Sequence, residues 1–263
     1  MNQALIDHLL AWAAKALGDD IVAAKAEYFA RTGGELHDED RSFEPRMQGF
    51  FNWYLFDRLS PSEWGARTPV QRFLRERGAL MPSQERELLA GAARSRLSLY
   101  SFLGRRPATA SAPEGSLRLR DPFSGVCYEV VEVKRMVGLE LHDLFEARLL
   151  PVAGRFLFST SFLFHSRSVR ARVLREVRRR QKARALAHPA AFCWELSKMA
   201  LQAERFRNVP IDAIYNFETP FLGHKRPRSA SDGQGASPEP LGAARGRGNG
   251  DGVEPAAEPG QRV

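Results

Sequence analysis

Hydrophobic positions recur at helical spacing through the first third of the chain. Residues 2–17 place Leu5, Leu9, Trp12, Ala13 and Ala16 on one stripe, and Gly18 breaks it. A second helix over about 19–31 presents Ile21, Val22, Ala26 and Phe29. Asp19 or Asp20 is its N-cap and Thr32-Gly33-Gly34 stops it. A third helix, about 46–58, holds the block Phe50-Phe51-Asn52-Trp53-Tyr54-Leu55-Phe56-Asp57-Arg58. Phe50, Trp53 and Tyr54 share one side of it, and Phe51, Leu55 and Phe56 fill the other. A helix apolar nearly all round is buried on most sides, so Trp53 and Phe56 are predicted at the centre of a core. Thr68-Pro69 reads as an N-cap with proline at the first helical position, opening a helix through Val70, Phe73 and Leu74. Pro82-Ser83 opens another, with Leu88 and Leu89 inside it.

After about residue 96 the period changes to strands. These are 97–104, 116–121, 126–135, 144–152 and 155–164, the last two separated by Ala153-Gly154. In 116–121 Leu117 and Leu119 face one way and Arg118 and Arg120 the other. Five short strands avoid long exposed edges by closing, which predicts a small β-barrel. Residues 166–187 return to a helical pattern, 189–206 continue it after His188-Pro189, and 209–214 form a short apolar docking segment. From His224 onward Gly, Pro, Ser and Ala dominate, a composition that cannot bury enough apolar surface to order itself. The expected fold is therefore α+β. It divides into a helical region at 1–95, a small five-stranded barrel at 96–165, C-terminal helices at 166–222 and a disordered tail at 223–263.

Charge adds a direction. The chain of 263 residues has a net charge of +8, which favours acidic partners: nucleic acid, an anionic membrane or an acidic protein. The tail carries six basic and five acidic residues, so the excess sits on the folded part. Cys127 and Cys193 match no metal or redox spacing and are expected to be buried, reduced thiols, which points to a reducing cytoplasm. The N-terminus has no basic start or cleavage site, and no run of eighteen apolar residues occurs.

The strongest charge feature is the segment 166–187. Nine Lys/Arg stand between Arg167 and Arg184 against one acid, Glu176. Val169, Val173 and Val177 form a narrow apolar stripe with Leu174 at its edge. That stripe is expected to dock the helix on its own domain, leaving Arg170, Arg175, Arg178, Arg179 and Lys182 outward as a partner-binding face. The alternative is an ordinary solvated face. The acidic loop with His37, Asp38, Asp40 and Glu44 has oxygen ligands for Mg²⁺ or Ca²⁺, but neither the spacing nor the glycine of a calcium loop. A solvated loop that caps the next helix, and pairs with the basic helix, is the simpler expectation. No Gly-x-Ser-x-Gly and no phosphate loop occur, and His165 reads as a strand-end residue. No catalytic residue, cofactor or metal is assigned.

Five blocks in order carry a resemblance. They are Phe50-x-x-Trp53-Tyr-Leu-Phe-Asp57, Thr68-Pro-x-x-x-Phe73-Leu and Ser98-Leu-Tyr-x-Phe102, then Asp121-x-x-Ser-Gly125-x-x-Tyr128-x-Val130 and Asp143-Leu-x-x-Ala-Arg148-Leu-Leu-Pro-Val152. Over about 35–160 the chain resembles a widespread uncharacterised bacterial family marked by a "WFLFD" block. Some relatives end in a cysteine-rich SEC-C metal-binding motif; this chain lacks one, so zinc is not carried over. The Arg-, Ala- and Gly-rich composition suits a myxobacterium, and the build is similar to myxobacterial polarity regulators. That resemblance implies a non-enzymatic, cytoplasmic and polar co-activator of GTP hydrolysis, partnered by a Ras-like GTPase and a roadblock protein. The second expectation is a nucleic-acid-associated protein that grips phosphates through the basic helix. The third and weakest is a metal enzyme or hydrolase using the acidic loop.

Overall fold

The computed structural model describes residues 3–59, 65–110, 115–131, 138–184 and 188–222, all within one compact unit, Met1–Gly223. The tail expected to be disordered lies outside the described residues. Five helices lead: α1 (Gln3–Leu17), α2 (Asp20–Thr32), α3 (Phe43–Phe56), α4 (Pro69–Arg77) and α5 (Ser83–Arg94). Five strands follow: β1 (Arg96–Arg106), β2 (Ser116–Arg120), β3 (Cys127–Val130), β4 (Leu144–Val152) and β5 (Arg155–Phe164). The helices α6 (Arg170–Lys182), α7 (Pro189–Arg205) and α8 (Ile211–Ile214) complete the described chain.

Local chemistry explains several boundaries. Thr68 accepts a hydrogen bond from the Gln71 N–H, and the Gln71 side chain accepts one from the Thr68 N–H, so α4 opens on a full capping box with Pro69 at its first position. Asp19 stands at the α2 cap position without a side-chain cap bond, while Asp20 in the first turn accepts from Arg58 at 2.6 Å. Ala153 and Gly154 both have positive φ, 46° and 73°, the geometry that lets a two-residue loop join twisted strands β4 and β5. The basic helix is shorter than expected: a 3₁₀ turn at Arg167–Val169 precedes α6, which ends at Lys182 before Arg184 turns to φ 51°. Of the strand expected over 126–135, Cys127–Val130 is formed and 132–137 lie outside the described residues.

The strands hydrogen-bond in the order β1-β2-β3-β5-β4, and β4 pairs back to β1, so the sheet closes on itself. The β3–β5 pairing is parallel, at Val130 and Phe156, and the others are antiparallel. Its interior is filled by side chains, with Tyr100, Phe102, Leu117, Leu119, Phe145 and Phe158 all buried. A second cluster gathers α1 to α5 around Phe50, Trp53, Tyr54 and Phe56, as the aromatic block predicts. A third packs α6, α7 and Tyr215 against Leu99 and Leu144 of the sheet.

Strand β4 therefore has helices on one side and the sheet interior on the other. Phe145, Ala147 and Leu149 face inward, while Leu144, Glu146, Arg148 and Leu150 face the helices. All seven residues from Leu144 to Leu150 are buried. Helix α5 approaches this strand so closely that a Cβ on Gly91 would lie 2.6 Å from the Pro151 carbonyl oxygen. Cys193 is buried in α7, but Cys127 is exposed, which corrects the expectation of two buried thiols. Alternation on β3 turns Cys127 and Glu129 outward and Val130 inward.

Candidate functional site

Helix α6 is anchored as its valine stripe dictates. Val169, Val173 and Val177 are at most 1% exposed and pack with Phe192 and Leu196 of α7. One turn of 100° per residue then sets the fate of each cation. Arg175, Arg178 and Lys182 share the stripe opposite the valines and are exposed. Among the described residues none of these three has an ion-pair partner. Arg179 is exposed too, but both its Nε and Nη2 donate to Glu176 at 2.7 Å. Arg170 corrects the expectation of an outward face. It lies half-buried, because its helical angle brings it back beside Val177 rather than onto the Arg178 stripe.

Glu176 is the electrostatic anchor of the helix. It accepts from Arg179 and Arg180, and Arg180 also reaches Glu195 of α7 through two hydrogen bonds of 2.7 and 2.9 Å. The hydrogen bond from Arg179 holds the Glu176 carboxyl below its ordinary range, against the opposing effect of partial burial. Arg172 bonds Asp212 at 3.1 Å, and Arg167 bonds Asp143 and Glu140. The acidic loop does not supply these partners. Its Asp40 instead accepts from Arg205 of α7 at 2.9 Å and from the His37 N–H, and the Arg205 bond lowers its pKa. Glu44 sits in the first turn of α3. Among the described residues no three His, Cys, Asp or Glu side chains converge on a metal position. No described helix is long and apolar enough to cross a membrane.

A buried polar network escaped the sequence reading. His165 is 6% exposed, and its Nε2 lies 3.0 Å from Glu146 Oε1. The Glu146 carboxylate accepts from the Nε2–H, and Nδ1 lies 3.2 Å from the Tyr215 hydroxyl. Ser197 donates to the other Glu146 oxygen at 3.0 Å. Burial pushes the Tyr215 phenol well above its ordinary pKa, with the Glu146 charge adding to the effect. Two residues along β4, Arg148 donates to Asp57, the residue that caps the C-terminus of α3, and to the carbonyl and hydroxyl oxygens of Ser95 at 3.1 Å. Arg46 donates to the Ser197 carbonyl at 2.6 Å. These bonds tie β4 to α3, α7 and the segment after α8. The available signal was a Glu and an Arg two apart in an otherwise apolar strand. Nothing in the primary pattern says that helices cover that face.

The fold is a closed sheet clasped between an aromatic helical layer and C-terminal helices, with a cationic outer stripe. Residues 20–199 match the model of a family of unknown function (DUF7986), and the chain belongs to that family. No curated protein and no solved structure matches it.

Proposed function

We propose that this protein is a non-enzymatic regulator that docks an acidic protein surface through the outer stripe of α6. The observation that carries the reading is the set Arg175, Arg178 and Lys182, exposed and without ion-pair partners among the described residues, on a helix whose apolar face is already used. Arg167, Arg172, Arg179 and Arg180 have acidic partners within the chain, while Arg170 is half-buried and Arg184 lies beyond the end of α6, so Arg175, Arg178 and Lys182 are the exposed cations of the helix itself left without an acidic partner among the described residues. Guanidinium forks suit carboxylates, and a preorganised helix loses little entropy on docking.

The narrower form of the proposal takes the partner to be a Ras-like polarity GTPase with its roadblock protein, the role of RomY toward MglA and MglB. It rests on the sequence resemblance alone. Its test is GTP hydrolysis by MglA with MglB, with and without the full chain. Stimulation that disappears in Arg178→Glu with Lys182→Glu supports it, and unchanged hydrolysis in the presence of the native chain overturns it. Electrostatic docking also predicts that the double variant mainly slows association. Equal weakening on all DNA sequences, with a flatter salt slope, would instead favour a phosphate-gripping nucleic-acid protein.

A further inference from the structure

On a different part of the molecule, α2, α3, α7 and the α5–β1 junction enclose a cleft of about 800 Å³, a size suited to a small molecule. Its walls include Trp53, Phe56 and Trp194. The two indoles meet edge-on at 6.4 Å, and the Arg31 guanidinium lies over Trp194 at 5.0 Å and over Trp53 at 6.0 Å. Trp53 is itself 5% exposed and packed against Tyr28, so the apolar surface offered to the cleft is that of Trp194 and the exposed Leu59, with the Arg31 charge beside it.

Its polar groups are unbalanced in one direction. The two acids are engaged: Glu27 accepts from Arg31 at 2.6 Å and from Arg58 at 3.1 Å, and Asp57 accepts from Arg148. The donors are not. Arg96 is exposed and has no partner among the described residues. Arg94 makes only a 3.4 Å contact to the Pro151 carbonyl. The Trp194 indole N–H is buried and donates to nothing among the described residues. His188 accepts from the Ala190 N–H through Nδ1, which leaves Nε2 as the donor of the ring. The buried indole N–H without an acceptor is costly alone and favours a ligand that brings one, and the two exposed guanidiniums place positive charge at the rim.

We infer that this cleft binds a small molecule with a flat apolar body and an anionic oxygen group, phosphate or carboxylate. The body lies along Trp194 and the exposed Leu59. The oxygens take bonds from Arg94 and Arg96, which end α5 and begin β1 and so approach from one side. Glu27 holds Arg31 and Arg58, and Arg148 holds Asp57, so neither acid is left to repel the anion at full strength.

Calorimetric titration of the full chain tests this with adenosine monophosphate and naphthalene-2-carboxylate as the phosphate and carboxylate probes. Adenosine and inorganic phosphate serve as the separate halves. At least one ring-bearing anion should bind saturably below millimolar concentration, and whichever it is distinguishes the two anion classes. Each half should bind at least about tenfold more weakly, as should the whole probe to Arg94→Gln with Arg96→Gln. Both side chains are exposed, so the melting temperature of that variant should match the native chain. Arg178→Glu with Lys182→Glu should leave the titration unchanged, which separates this site from the α6 stripe. Failure of both ring-bearing anions to bind, adenosine binding as tightly as its phosphate, or undiminished binding by the Arg94/Arg96 variant would each overturn the inference.

Discussion

The helix-facing side of β4 and the solvent-facing side of α6 use the same residue types with opposite consequences. On β4, Arg148 is 2% exposed, and its guanidinium is held by Asp57 and two oxygens of Ser95. On α6, Arg175 and Arg178 stand in water with no ion-pair partner among the described residues. A buried charge has given up its hydration and depends on every bond that replaces it. An exposed one keeps its hydration and can be removed at little cost to folding. Burial therefore separates charges that hold this fold together from charges that remain for a partner.

Breaking the β4 side should give the largest effect. Arg148→Ala leaves Asp57 without its partner and the Ser95 carbonyl without a donor, and should destabilise by about 3–5 kcal/mol. Urea unfolding monitored by tryptophan emission measures it. A loss below about 1 kcal/mol would mean that water replaces the guanidinium and that the comparison fails.

Glu176 lies between the extremes, since it is buried while its partner Arg179 is exposed. Its folded pKa is depressed, chiefly by the Arg179 hydrogen bond. The stability it contributes is therefore complete above its ordinary value of 4.5 and is lost as pH falls through the lower folded value. Glu176→Gln should cost about 1 kcal/mol at neutral pH and flatten the acid limb of the stability profile. Melting curves from neutral to strongly acidic pH decide this, and an unchanged acid limb would remove Glu176 from the anchor of α6.

The α6 stripe should give the smallest effect on folding. Arg178→Glu with Lys182→Glu should change stability by no more than about 0.5 kcal/mol. Thermal melting beside the native chain checks it. A larger drop would show that these cations support the fold, and would weaken the case for a partner-binding stripe.

Periodicity alone determined the helical entry to the chain, the five strands and the docking of α6 by its valines. Those features are local: a stripe at 3.6 residues or an alternation at 2 states which side is apolar. The Thr68-Pro69 start and the Ala153-Gly154 turn were equally legible, because capping and two-residue turns depend on a few adjacent side chains. The aromatic block announced a core, and Phe50, Trp53, Tyr54, Leu55 and Phe56 are all buried. Only tertiary structure decided which charges go inside. Glu146, Arg148 and His165 are recruited by helices from both ends of the chain, with Tyr215 lying 50 residues beyond His165 and Asp57 lying 91 before Arg148. The same holds for Arg170, half-buried by a helical angle that matters only once α6 has a neighbour, and for Cys127, exposed because no described residue covers its face of β3. The Arg94–Arg96 cleft also exists only where α2, α3 and α7 meet the α5–β1 junction. Pattern along a chain reports which face of an element is apolar; what covers the other face is set by contacts between segments far apart in sequence, and that decides whether a charge is structural or free to bind.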